Sequence, residues 1–91
     1  MRSDLDQVVH DAVMQVAFQT GIVLVRDSLD DDTRLVEDLN FDSLHRVTLV
    51  MELENRLQIV VEDDDGEEVR TLRDLVELCR SLLNGRHAPS P

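Results

Sequence analysis

Apolar residues recur at helical spacing in the first part of the chain, from about Ser3 to Thr20. They repeat at i, i+3, i+4 and i+7, which is the pattern of one buried helix face. Ser3 suits the N-cap position, and Gly21 suits the residue that terminates the helix. His10 lies beside the apolar face, and we expect it to be exposed. The residues predicted to face the core are Leu5, Val8, Val9, Ala12, Val13, Val16 and Ala17.

The same spacing predicts two further helices. One runs from Ser43 to Leu57, and its apolar residues fall mostly on one side: Leu44, Val47, Val50, Met51, Leu53 and Leu57. The last helix begins near Thr71, because Thr71 and Asp74 have the spacing of a capping box, and it ends at Asn84-Gly85. Its inward residues are expected to be Leu72, Leu75, Val76, Cys79, Leu82 and Leu83.

Two connections link these helices. The first, residues 22–42, is long for a structureless loop, and its apolar residues indicate that it lies pinned across the core. Residues 22–25 have strand propensity, but a lone strand has no partner here, so no strand is expected. The acidic run 62–68 is predicted to form one helical turn. The sequence therefore predicts an all-α fold, a small antiparallel bundle of three main helices plus a short helical turn, with a long first loop. We expect one domain at 1–83 and a flexible tail at 84–91.

Composition excludes several classes of protein. The chain of 91 residues carries a formal net charge of −11, and all nine of its basic residues are arginine. Without a basic patch we expect no binding of nucleic acid, and anionic membrane surfaces should repel the chain. No apolar run approaches the roughly 20 residues of a membrane span, and the first residues lack the apolar core of a signal peptide. We therefore expect a cytoplasmic protein, and an apolar fraction of 42% argues against disorder.

The candidate metal and catalytic residues do not form a recognisable set. Asp63-Asp64-Asp65-Gly66 is similar to part of a calcium-binding loop, but Val61 and Leu72 then occupy positions that need oxygen ligands. Cys79 lies at an apolar helical position, which predicts a buried and inert thiol. The histidines, His10, His45 and His87, show no pattern of a shared site. We therefore expect no metal site, and a binding or carrier protein rather than an enzyme.

The triplet Asp42-Ser43-Leu44 stands where the long loop meets the second helix. On its own, an Asp-Ser pair at such a junction is most simply an N-cap. Here the triplet is preceded by Glu37-Asp38-Leu39 and followed by a helix that carries Val50-Met51-Glu52-Leu53-Glu54. With these flanks, residues 31–57 resemble the acyl carrier protein family, and the resemblance continues through the last helix.

The resemblance implies that Ser43 is the attachment point for 4′-phosphopantetheine, which a separate phosphopantetheinyl transferase takes from coenzyme A. Asp42 matches the acidic neighbour that helps the transferase engage the site. The thiol of the cofactor would hold acyl groups as thioesters, and the carrier, expected to be a monomer, would present them to acyl-transferring, condensing and processing enzymes. Three residues match positions on the partner-facing side or at the mouth of the acyl cavity, although plain core packing would also explain them: Leu44, Val47 and Met51.

The sequence departs from the family pattern at several positions. Asn40 stands where a glycine is common, and asparagine tolerates left-handed backbone angles. His45, Thr48 and Asn55 replace acidic residues typical of the recognition helix, which favours a dedicated polyketide or lipid-type pathway over general fatty acid synthesis. Two alternatives stay open: an aminoacyl or peptidyl carrier, and a non-carrier acidic helical interaction domain in which the Asp-Ser pair only caps a helix. The loop spacing disfavours a calcium buffer.

Overall fold

Three helices carry the fold in the computed structural model, which describes residues 4–24, 29–62, 65 and 69–84. They are α1 (Asp4–Gln19), α2 (Ser43–Leu57) and α3 (Leu72–Leu83). α1 packs against both α2 and α3. The described residues contain an isolated antiparallel β-bridge but no strand, so the predicted all-α helical bundle is confirmed. None of the described helices is both long and apolar enough to cross a bilayer.

α1 ends at the predicted glycine. Gly21 has a φ of 83°, a left-handed conformation that glycine adopts without steric cost. The amide of Ile22 donates to the carbonyl of Ala17 at 2.8 Å, and the amide of Gly21 donates to that of Phe18 at 3.3 Å. These two bonds form a Schellman motif, which pairs the last carbonyls of the helix. Ser3, the predicted N-cap, lies outside the described residues.

The prediction that His10 is exposed is wrong. His10 is only 3% exposed, and its neighbour Val9 is completely buried. The physical reason is that α1 packs against two helices rather than one, so its buried arc is wider than a single apolar stripe. His10 lies at the edge of that arc, and tertiary packing covers it.

α2 has the predicted bounds, but its buried face differs from the apolar stripe seen in the sequence. The buried residues of α2 are Leu49 and Leu53. Leu44, Val47 and Met51, which are 69%, 56% and 57% exposed, point away from the core. α2 therefore carries apolar residues on two faces, and only one of them packs against the rest of the protein.

α3 begins with the predicted capping box. The amide of Asp74 donates to Oγ1 of Thr71 at 3.2 Å, and the amide of Thr71 donates to Oδ2 of Asp74 at 3.3 Å. Leu83, expected to face inward, is 46% exposed, because it is the last residue of the helix and neighbouring segments no longer cover it. The buried residues are Leu72, Leu75, Val76, Leu78, Cys79 and Leu82.

The long connection before α2 is pinned to the core, as predicted. Its buried residues are Leu29, Thr33, Leu35, Leu39 and Phe41. The amide of Leu35 donates to the carbonyl of Arg70, and the amide of Leu72 donates to the carbonyl of Thr33, each at 2.9 Å. These bonds flank the isolated bridge between Arg34 and Thr71 and join the loop to the start of α3.

Some predictions fall outside the described residues. The strand-prone segment is described only as far as Leu24, where it forms no strand. The predicted helical turn at 62–68 is described only at Glu62 and Asp65, and the tail after Asn84 is not described.

Candidate functional site

Ser43 is exposed at the first residue of α2, directly after the long loop. Phe41, two residues earlier, is fully buried, and its amide donates to the carbonyl of Leu35 at 2.9 Å. Phe41 therefore anchors the end of the loop in the core. Asp42 follows with an extended backbone, and the chain emerges at the surface with Asp42 and Ser43 both exposed.

A left-handed turn precedes this junction. Asn40 has a φ of 58°, and its amide donates to the carbonyl of Val36 at 3.0 Å. Asparagine is one of the few residues other than glycine that adopts this conformation readily. The turn expected at the position where the family commonly has glycine is therefore formed with Asn40.

Asp42 and His45 form a capping box at the start of α2. The amide of His45 donates to Oδ1 of Asp42 at 3.1 Å. On the reciprocal side, Nδ1 of His45 lies 2.7 Å from Oδ1 of Asp42 and 3.3 Å from the amide nitrogen of Asp42. A protonated Nδ1 donates to the carboxylate, whereas an unprotonated Nδ1 accepts from the amide. The imidazole can therefore form a hydrogen bond with Asp42 whether or not Nδ1 carries a hydrogen.

These contacts favour the ionised form of Asp42. The hydrogen bond from the His45 amide, together with that from the His45 side chain, lowers the pKa of Asp42 below its usual 3.8. A carboxylate that accepts hydrogen bonds is stabilised in its charged form. The residue next to Ser43 is thus an exposed carboxylate held in place by the first turn of α2.

His45 also covers the loop anchor. Its ring stacks on Phe41 with centroids 5.2 Å apart and planes 20° from parallel, and the His45 side chain is only 17% exposed. The sequence pattern did not indicate this role for His45, which was interpreted only as a replacement for an acidic residue. The available signal was its position three residues after Asp42, where a capping box has its second partner.

Leu44, Val47 and Met51 form an exposed apolar surface on α2, which we call the apolar face of α2. Their spacing places all three on one side of the helix, beginning at the residue after Ser43. Their exposures of 69%, 56% and 57% exclude core packing as the reason for their apolar character. The face is available for contact with another molecule.

A narrow apolar slot lies on another side of α2. It has a volume of about 20 Å³, and Nη2 of Arg46 donates to the carbonyl oxygen of Val69 at 3.4 Å beside it. The slot is lined by Leu35, Arg46, Leu49, Val50, Leu53, Val61, Val69, Leu75, Leu78 and Cys79.

The Cys79 thiol is buried, as the sequence predicts. Burial raises its pKa to about 11, so the thiol is in its neutral form.

The other candidate residues do not converge on a second site. In the parts of the chain that the structure describes, no group of three or more His, Cys, Asp or Glu side chains is placed to hold a metal ion. His10 is buried on α1, and His45 belongs to the capping box. His87 and most of the acidic run that is similar to a calcium loop lie outside the described residues.

Comparison with known proteins points to the same region. Residues 16–79 match the family model described as the phosphopantetheine attachment site. The chain is 44% identical over 45 residues to the acyl carrier protein of Helicobacter hepaticus, covering 50% of this chain and 59% of that protein.

Two other relatives have the same name. The chain is 35% identical over 51 residues to the acyl carrier protein of Chloroherpeton thalassium, covering 56% of this chain and 64% of the relative. It is 38% identical over 56 residues to that of a Sulfurovum species, with coverages of 62% and 75%. The chain therefore spans less than two thirds of the length of the Helicobacter and Chloroherpeton proteins.

Proposed function

This chain belongs to the acyl carrier protein family, whose members are carriers and not enzymes, and we propose that it holds acyl groups on a 4′-phosphopantetheine arm attached to Ser43. The thiol at the end of the arm would form thioesters with acyl groups. The observation that carries the proposal is the position of Ser43, exposed on the first turn of α2 within the region that matches the attachment-site family.

The surroundings of Ser43 suit both forms of the residue. Ser43 is exposed, so its hydroxyl would be accessible to a phosphopantetheinyl transferase. Once modified, Ser43 would carry a phosphodiester at the N-terminus of a helix, where the helix dipole favours an anion. Asp42, fixed by His45 and favoured in its charged form, would help the transferase engage the site through its metal ion.

The apolar slot would receive the acyl chain. It lies between residues of α2 and α3, with Leu35, Val61 and Val69 completing its lining. At about 20 Å³ it holds about one water-sized group, so a longer chain requires its walls to move apart. The lining consists of Leu and Val side chains with Cys79 and Arg46 and has no aromatic residue, which supports such movement because aliphatic side chains can adopt alternative packing.

The partner enzymes would contact the apolar face of α2. Residues 43–61 have no net charge, whereas residues 22–42 carry −5 and residues 62–68 carry −6. His45, Thr48 and Asn55 also leave this helix without acidic residues at positions where the family commonly has them. We therefore favour a dedicated polyketide or lipid-type pathway over general fatty acid synthesis, with acyl-transferring, condensing and processing enzymes as partners.

Intact-mass analysis tests the attachment. The full chain coexpressed with a broad-specificity phosphopantetheinyl transferase should gain the mass of one phosphopantetheine, and Ser43→Ala should gain none. Ser81→Ala is a matched control, because Ser81 lies on α3, away from the candidate junction, and this variant should be modified normally. No added mass on the wild-type chain, or modification of Ser43→Ala, contradicts the proposal.

Loading assays test the cargo. We expect the holo chain to accept acyl groups from acyl donors and to reject aminoacyl groups. Preferential loading with amino acids would instead support a peptidyl carrier. Efficient turnover with general fatty acid synthesis enzymes would contradict the preference for a dedicated pathway.

A further inference from the structure

The carboxylate of Asp42 makes two contacts with His45, and both end on the same oxygen. The amide of His45 donates to Oδ1 at 3.1 Å, and Nδ1 of His45 lies 2.7 Å from that atom. The Asp42 side chain is nevertheless 70% exposed. The contacts with His45 therefore fix the direction of a carboxylate at the surface and leave Oδ2 for another molecule.

The His45 ring is itself held in place. It stacks on Phe41 with ring centroids 5.2 Å apart, and its side chain is only 17% exposed. Phe41 is completely buried, and its amide donates to the carbonyl of Leu35 at 2.9 Å. A line of contacts thus runs from the core through His45 to Asp42, the residue directly before Ser43.

The capping box of α3 shows what is particular to His45. At the start of α3, both bonds of the box join a side chain to a backbone amide, with Thr71 as the cap and Asp74 as its partner. The box of α2 adds a contact between the two side chains themselves. A carboxylate cap needs a hydrogen-bond donor for such a contact, which an imidazole supplies and an ionised acidic side chain does not. His45 therefore restrains Asp42 beyond what capping a helix requires.

A restrained carboxylate at this position is an advantage for binding. An exposed aspartate samples several rotamers, and fixing it in one of them costs conformational entropy. A carboxylate that already points in one direction avoids this cost. Oδ2 of Asp42 is an acceptor for a cation, whether a divalent metal ion or a basic side chain.

We propose that His45 is a positioning residue for the modification of Ser43, because it holds Asp42 so that Oδ2 can bind a cation presented by the phosphopantetheinyl transferase. This inference rests on the proposed function, since it requires that Ser43 is modified. His45 acts through Asp42 and takes no part in bond formation. In the transfer, the Ser43 hydroxyl loses its proton to solvent and its oxygen bonds to phosphorus, while the adenosine bisphosphate half of coenzyme A leaves with the electron pair of the broken P–O bond.

A double-mutant cycle tests whether His45 acts through Asp42. The full apo chain is assayed with coenzyme A, Mg²⁺ and a broad-specificity phosphopantetheinyl transferase, below the melting temperature of every variant. We expect His45→Ala to lower kcat/KM for modification about tenfold, the scale of losing a group that orients a ligand. His45→Gln should retain part of the rate, because glutamine also donates a hydrogen bond. In the Asp42→Ala background, His45→Ala should cause no further loss.

Asp74→Ala is the matched control, because Asp74 has the same place in the capping box of α3 as His45 has in that of α2. It should leave kcat/KM unchanged although it also weakens the start of a helix. NMR gives a second readout that needs no transferase. The Hα–Hβ couplings of Asp42 should report one rotamer in the wild-type chain and an average of several in His45→Ala.

The dependence on Mg²⁺ identifies the cation that Oδ2 binds. If it is the metal ion, His45→Ala should raise the half-saturating Mg²⁺ concentration about tenfold. If it is a basic side chain of the transferase, that concentration should stay the same, and KM for the chain should rise while kcat is unchanged.

The outcomes distinguish this inference from the carrier proposal. A wild-type chain that gains no arm contradicts the proposed function itself. Equal rates for the wild type and His45→Ala, or the same loss in the Asp42→Ala background, contradict only the role of His45. An equal loss for Asp74→Ala would assign the effect to a weakened fold, and unchanged couplings in His45→Ala would show that the backbone amide alone holds Asp42. Either result would overturn the positioning role.

Discussion

Nδ1 of His45 lies 2.7 Å from Oδ1 of Asp42, so the carboxylate beside the candidate attachment residue is held by the third residue of α2. An acidic side chain at position 45 would repel that carboxylate, whereas Nδ1 of His45 donates to it when Nδ1 carries a hydrogen and accepts from the Asp42 amide when it does not. The His45 ring also covers the buried Phe41. One side chain therefore couples the loop anchor to the start of α2.

Replacing His45 should weaken this junction. His45→Ala removes half of the capping box and the stacking on Phe41, and we expect it to lower the free energy of unfolding by about 1 kcal/mol. His45→Gln should cost less, because glutamine can also accept from the Asp42 amide at this position. Urea denaturation followed by circular dichroism measures both, and equal losses would show that the capping bond contributes nothing.

The contribution of Asp42 should depend on pH. Its pKa is lowered in the folded protein from 3.8, so the ionised carboxylate stabilises the fold fully above the unfolded pKa. That stabilisation is lost as the pH falls through the folded pKa. We expect the wild type to melt above Asp42→Asn at neutral pH, with a gap that closes below about pH 4. Thermal melts between pH 7 and pH 2 test this, and a constant gap over that range would contradict the lowered pKa.

The buried and the exposed apolar residues of α2 should respond differently to replacement by alanine. Leu49 is 2% exposed and Met51 is 57% exposed. Leu49→Ala should lower the free energy of unfolding by about 3 kcal/mol, because it leaves a cavity in the core. Met51→Ala should change it by no more than about 0.5 kcal/mol. Comparable losses in urea denaturation would mean that Met51 packs in the core.

The backbone at Asn40 gives a test of the left-handed turn. Asn40 has a φ of 58°, where a β-branched side chain is strained. Asn40→Val should therefore lower the free energy of unfolding by about 1–2 kcal/mol, whereas Asn40→Gly should have little effect because glycine adopts this conformation freely. The same urea titration measures both variants, and a harmless valine would contradict the turn geometry.

Much of the fold follows from local signals. The bounds of α2, the capping box of Thr71 and Asp74, and the termination of α1 at Gly21 depend on residues within a few positions of each other. Such features arise from hydrogen bonds between near neighbours, so the sequence predicts them well. The attachment-site family could likewise be recognised from a short motif and its flanks.

Burial depends on distant segments, which explains the errors. Leu49 and the residues of the apolar face of α2 are all apolar, and the sequence does not show which of them the rest of the chain covers. His10 is buried because α1 has two helical neighbours. The contact of Arg46 with Val69 joins positions 23 residues apart, and no local pattern indicates it.

The sequence by itself determined the three helices, the end of α1 at Gly21, the capping box of α3 and the family, because these depend on short-range chemistry. Only the tertiary structure decided which apolar residues of α2 remain at the surface, that His10 is buried on α1, and that Arg46 reaches the carbonyl of Val69 beside the apolar slot. These three features depend on how α1 packs against α2 and α3 and on contacts between segments far apart in the chain.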